Sequence, residues 1–208
     1  NNPNVFIRSI GSRGSKGGLA ENINIIGDIL DAAGFDIIIF ETVGVGQVEL
    51  DIIETADTTV VVLVPESGDD IQILKAGMME IADIFVINKS DRDGADKIAV
   101  SLNNFLSTVH TDDGVWSPKV VKTSVYAKTG FEELIDTVFS RYEFMNQNGH
   151  IDKKHESRYT KQVKNLVSKH LENNFWDKLK EEALNKQLKT EIENRANPVM
   201  LAKKLIDE

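Results

Sequence analysis

"DIFVINKSD", Asp83–Asp91, decides how this chain is read. Its first half is an aliphatic run without the alternation of a half-buried strand, so a strand here must be covered on both faces. Its second half turns abruptly polar, with Asn88, Lys89, Ser90 and Asp91 in succession. "FDIIIFE" (Phe35–Glu41), "TTVVVLV" (Thr58–Val64) and "KVVKTS" (Lys119–Ser124) read as further strands of the same doubly buried kind, and Val5–Arg8 as a short one. Helical spacing fills the gaps: Leu19–Ala33, Asp70–Ile81, Asp93–Val109 and Phe131–Arg141. Gly34 stands where a helix is ended by a residue in the left-handed region. Buried strands alternating with helices predict a three-layer α/β fold with a mostly parallel sheet. Right-handed crossovers then bring the C-terminal ends of the strands to one edge, where ligands bind in such sheets.

After about Arg141 the strand patterns stop. Asn146–Gly149 reads as a break, and Tyr159, Val163, Leu166 and Val167, then Leu184, Leu188 and Ile192, recur at helical spacing. The spacing predicts two long helices broken near Asn173-Asn174, and a last short helix opened by Asn197-Pro198. The expected organisation is an α/β domain over 1–144 and a helical arm over 145–208. The arm is too thin to bury its apolar stripes alone, which points to a homodimer.

Composition excludes several classes. With 41% hydrophobic and 27% charged residues the chain is ordinary for a globular protein. Residues 1–140 hold 22 Asp/Glu against 10 Lys/Arg within a net charge of −9, an acidic body that argues against nucleic-acid binding. There is no Cys, hence no disulfide framework and no thiolate metal site. No apolar run reaches the length of a membrane span. The start, "NNPNVFIRSIG", has neither the basic nor the apolar region of a secretion signal and does not read as a natural protein start.

The strand ends carry the chemistry. Asn88–Asp91 fits N-K-x-D, the guanine-reading motif of GTPases. Guanine presents N1–H and an amine side by side, and the Asp91 carboxylate can accept both. Adenine offers an acceptor there and would leave the carboxylate unpaired, which discriminates strongly. Asn88 would tie loops together and approach the other edge of the base. Lys89 would lay its stem along the purine face. At the next strand end, "KTSVYAKTG", Ser124-Val125 occupies the place of a turn whose backbone N–H meets the guanine oxygen, and Gly130 opens the following helix. "ETVG" ends the Phe35 strand. Its Glu41 would hold a water on Mg²⁺, and Gly44 would let backbone approach the γ-phosphate as only glycine can. Gln47 would orient the attacking water. An ordinary strand-end acid and a polar helix-start residue are the plainer readings of Glu41 and Gln47.

Taken together, "FIRSIGSRGSKGGLA", "ETVGVGQVE", the "TTVVVLVPESGDDIQ" to "INKSD" block and the helical tail resemble the methylmalonyl-CoA mutase-associated GTPases of the MeaB/ArgK type. The resemblance covers Val5–Ser124 and, more loosely, the tail. It implies a P-loop GTPase fold with a C-terminal helical dimerisation arm, GTP/GDP and Mg²⁺ as ligands, and Glu41 as a metal partner through water. The implied function is that of a G-protein chaperone for an adenosylcobalamin-dependent acyl-CoA mutase, gating cofactor loading and protecting the mutase, with a slow GTPase that the mutase raises. It implies the cytoplasm, or the mitochondrial matrix in a eukaryote. Ser12, Arg13 and Gly14 resemble part of a first switch region, and the Ser67–Lys75 loop, with Asp69, Asp70 and Lys75, a switch that meets the mutase. No G-x-x-x-x-G-K-[ST] occurs in the 208 residues. The resemblance places that phosphate cradle, and a central strand with it, upstream of Asn1, so the expected sheet is incomplete at its N-terminus.

Two alternatives belong beside this. One is a non-enzymatic interaction module built on the arm. The other is a metallocentre-insertion GTPase, which needs ligand clusters; the histidines (His110, His150, His155, His170) are scattered.

Overall fold

The computed structural model describes residues 4–11, 23–42, 50–65, 81–108 and 114–207. Its elements are α1 (Ile23–Ala32), α2 (Leu50–Thr55), β1 (Val60–Leu63), β2 (Ile84–Ile87), α3 (Ala95–Thr108), β3 (Lys119–Lys122), α4 (Phe131–Gln147), α5 (His150–Phe175), α6 (Lys178–Leu188), a 3₁₀ turn (Ile192–Asn194) and α7 (Pro198–Asp207). They form two compact units, 1–155 and 156–208.

The first unit is built on a parallel sheet in the order β1-β2-β3. Leu63, Ile87 and Lys122 stand level in the register, so all three strands end at one rim. β2 is the aliphatic run of Asp83–Asp91 and is buried along its whole length. On one face Phe85 and Ile87 join Val61, Leu63 and Leu102 of α3. On the other, Ile84, Val86 and Val121 meet Leu134 and Val138 of α4. Helices on both faces of a parallel sheet are the three layers predicted from the lack of alternation.

Among the described strands only β2 is doubly buried. β1 alternates, with Val62 55% exposed, because α4 lies over β2 and β3 and no described element covers that face of β1. β3 is an edge strand among the described residues, and its terminal lysines, Lys119 and Lys122, are exposed. Edge lysines of this kind discourage further pairing.

Two expected strands do not form among the described residues. Val5–Arg8 is irregular, and Phe35–Glu41 joins no sheet. Ile37 and Ile39 are 61% and 85% exposed. A β-prone run becomes a strand only where a neighbour accepts its backbone hydrogen bonds, and among the described residues this one pairs with no strand, although the Phe35 ring lies 6.4 Å from that of Phe6. Phe40 does pack: its ring lies against Gly27 in α1, where a Cβ would come within 2.9 Å of it.

Turns follow the sequence closely. Gly34 has φ +87, and its N–H and that of Phe35 bond back to Asp31 and Leu30, closing α1. Gly149, with φ +65, separates α4 from α5 inside the predicted break. In the second unit the Asp177 side chain caps α6 by accepting from Lys180 N at 2.8 Å. Asn197 does the same for α7, accepting from Val199 N at 2.9 Å ahead of Pro198. Phe175 and Trp176 stack edge to face, centroids 5.3 Å apart, and Lys180 lies over Phe175 at 5.0 Å.

At the rim opposite the strand ends, Asp83 gathers a second cluster. Its carboxylate accepts from Thr59 N at 2.8 Å and from Arg141 Nε at 2.8 Å, and its carbonyl accepts from Trp116 Nε1 at 2.9 Å. The Arg141 guanidinium sits over the rings of Trp116 and Phe144, 5.4 and 5.7 Å from their centroids. The cluster ties α4 to the start of β2.

Candidate functional site

The rim where the strands end is assembled from two turns. The first follows β2. Asn88 N donates to Leu63 O at 2.8 Å, holding the turn level with β1. The Asn88 side-chain oxygen accepts from Lys89 N at 2.8 Å and, at a long 3.4 Å, from Thr123 Oγ1. That first bond accompanies a left-handed Lys89, φ +56. A side chain with a Cβ adopts this conformation at a cost of about 1 kcal/mol, and local capture by an Asx oxygen offsets it. Arg92 N then bonds to Lys89 O at 3.0 Å, and the turn delivers an exposed Asp91.

The second turn follows β3. Ser124 and Thr129 exchange backbone hydrogen bonds, both 3.1 Å, so 124–129 is a closed loop. Gly130, φ +81, ends it. A Cβ at that position would collide with the Lys122 carbonyl, so only glycine fits.

The two turns are joined. Ser90 N donates to Thr123 O at 3.0 Å. Ser124, fully buried, donates its hydroxyl proton to an oxygen of Asp91, while its oxygen accepts from Ala127 N at 3.0 Å. A hydroxyl has one proton, and the Ala127 amide occupies one of the lone pairs, so the proton is directed at the carboxylate. Asp91 is therefore oriented by a group that is itself immobilised. A carboxylate oxygen has a second lone pair, so Asp91 can still accept two parallel donors from a ligand edge. Val125 stands exposed on the outer side of the same turn.

The residues predicted from sequence divide in three. Asn88, Lys89, Asp91, Ser124 and Val125 come together at the rim. Glu41 is exposed at the end of the unpaired Phe35–Phe40 segment. Gly44, Gln47, Ser12, Arg13, Gly14, Asp69, Asp70 and Lys75 lie outside the described residues. Sequence reasoning passed over Thr123, Ser90 and the Ala127 amide. The paired hydroxyls of "KTS" were the available signal for the first. His155 stands 3.8 Å from Asp57, and His170 bonds Asn174, so these two are engaged separately. Among the described residues no group of three or more metal-ligating side chains is placed to hold an ion, and no helix is long and apolar enough to cross a membrane.

A parallel sheet sandwiched by helices, with polar turns at its C-terminal rim, is a three-layer α/β fold of the kind that binds ligands at that rim. A solved structure described as a LAO/AO transport system kinase superposes with a TM-score of 0.64 over 88% of this chain and 60% of that one; at 22% identity the likeness concerns the fold alone. The chain belongs to the methylmalonyl-CoA mutase-associated GTPase family, MeaB, whose sequence model matches residues 1–180. It is 48% identical over 169 residues to a Pyrococcus abyssi protein provisionally named a GTPase, covering 80% of this chain and 52% of that one. It is 32% identical over 175 residues to the mouse mitochondrial methylmalonic aciduria type A homolog, covering 83% and 42%. The chain thus spans about half the length of the curated relatives it matches.

Proposed function

We propose that the protein carrying this chain binds GTP and GDP and hydrolyses GTP as the G-protein partner of an adenosylcobalamin-dependent acyl-CoA mutase. The observation that carries this reading is the Asp91 carboxylate at the strand-end rim, held by the buried Ser124 hydroxyl. Asp91 accepts from N1–H and the 2-amino group of guanine, Ser124-Val125 offers backbone N–H to its oxygen, and Asn88 and Lys89 shape the pocket wall. The exposed Glu41 carboxylate has the hard oxygen donors that Mg²⁺ prefers, and it would hold the ion through water. Mg²⁺, when bound, would supply charge neutralisation on the phosphates; Gly44 would leave room for the γ-phosphate and Gln47 would align water.

Family membership supports the mutase as partner, with the nucleotide state gating cofactor loading and protecting the enzyme. Ser12–Gly14 and Asp69, Asp70 and Lys75 belong to its switch regions. The helical arm makes the protein a homodimer. Exposed Tyr159, Val163, Leu166 and Val167 form a stripe along α5 that a second copy would cover. The protein works in the cytoplasm, or in the mitochondrial matrix in a eukaryote.

The test is GDP binding by calorimetry, followed by single-turnover GTP hydrolysis with and without the mutase, both on the full-length protein. Binding, slow turnover and acceleration by the mutase are expected. Failure to bind guanine nucleotide would overturn the proposal. The 208-residue chain, which has no G-x-x-x-x-G-K-[ST], should show no turnover.

A further inference from the structure

The reading of Asp91 leaves a physical demand unmet. A carboxylate meets a purine at its edge, in the plane of the base. The two faces, which carry most of the base's apolar area, gain nothing from that contact. Lys89 can lay its stem on one. The other is open to a large side chain from the adjoining turn.

The 124–129 turn offers one. Tyr126 is 90% exposed, two residues beyond the serine that holds Asp91. Its backbone is not free to wander: Ser124 and Thr129 close the turn with two hydrogen bonds, and Ala127 N is bonded to Ser124 Oγ. Gly130 wedges the end of the turn against β3. A 90% exposed tyrosine adds nothing to the core, so packing does not account for an aromatic residue at this position. At that exposure most of its ring surface is open to a ligand at the adjoining turn. Val125 is exposed too, but it has no flat surface to offer.

Resting on the guanine reading of this site, we infer that Tyr126 is the second face of the base pocket: its ring stacks on the purine opposite the Lys89 stem. Stacking on a neutral ring ignores the base's hydrogen-bonding edge, so Tyr126 contributes affinity and residence time, whereas Asp91 contributes the choice of base.

The experiment is displacement of fluorescently labelled GDP from the full-length protein by excess unlabelled GDP. Tyr126→Ala should release GDP about tenfold faster, and Tyr126→Phe should release it as the native protein does, because the ring and not the hydroxyl acts. The same tenfold loss should appear for XDP when Tyr126→Ala is added to Asp91→Asn, since stacking is indifferent to the edge. Tyr126 is so exposed that neither change threatens folding, and a thermal melt checks this. If Asp91→Asn abolishes GDP binding while Tyr126→Ala releases GDP at the native rate, this inference fails and the guanine site stands. If Asp91→Asn leaves GDP binding intact, the reading of the site fails and the inference with it.

Discussion

Ser124 donates its hydroxyl proton to Asp91 across 33 residues of chain, and that bond fastens the turn after β2 to the turn after β3. Each turn is a short polar exit from a strand. Joined, they make a rim with one oriented carboxylate, and the consequences can be measured.

Asp91→Asn in the full-length protein should weaken GDP binding by about 10³-fold or more and create affinity for XDP, whose C2 oxygen can accept from the new amide. The comparison is calorimetric titration with both nucleotides. Unchanged GDP affinity would remove Asp91 from the site.

Ser124→Ala removes the proton that orients Asp91 and the oxygen that accepts from the Ala127 amide. A loss of about 1–3 kcal/mol of stability is expected, read from urea denaturation. GDP affinity should fall several-fold while the preference for guanine over xanthine persists, because the carboxylate remains.

Gly130→Ala should be far worse than its size suggests. The residue sits at φ +81, and a methyl group there meets the Lys122 carbonyl. Backbone of the sheet cannot retreat as a flexible side chain would. The loss should exceed about 2 kcal/mol, shown by the denaturation midpoint, and would carry the 124–129 turn with it.

The Asp83–Arg141 pair at the opposite rim is 2.8 Å long, with the two side chains only 17% and 13% exposed. Removing one partner, as in Arg141→Met or Asp83→Asn, leaves the other charge buried, a cost of about 3–5 kcal/mol. The double substitution should recover much of it. A double-mutant cycle by urea denaturation measures the coupling, and additive losses would show that the pair contributes nothing as a pair.

Asp177 answers to pH. The Lys180 amide bonding to its carboxylate holds the group below its ordinary value of 3.8. The bond therefore favours the folded helix above that value, and the benefit fades as pH falls through the lowered folded value. The Asp177 side chain is 52% exposed, so the effect is confined to the first turn of α6. Hydrogen exchange at the Lys178–Glu181 amides should lose protection in acid, and Asp177→Ala should show the same loss at neutral pH.

What the sequence determined by itself was local. Asp83–Asp91 declared a strand with no solvent face and a polar exit, because an unbroken aliphatic run gains most when both of its faces leave water. Gly34 and Asn197-Pro198 announced their turns through backbone freedom, side-chain capture and ring constraint, properties a residue carries wherever it stands. The tertiary structure decided what depends on neighbours. Val60 and Val62 were as apolar as β2, yet they remain uncovered because no described helix lies over them. Phe35–Glu41 had every mark of a strand and is none among the described residues, since strands exist only in pairs. The Ser124–Asp91 and Asp83–Arg141 bonds were invisible beforehand for the same reason. Their partners lie 33 and 58 residues apart, and only the register of a folded sheet brings such distant atoms within hydrogen-bond reach.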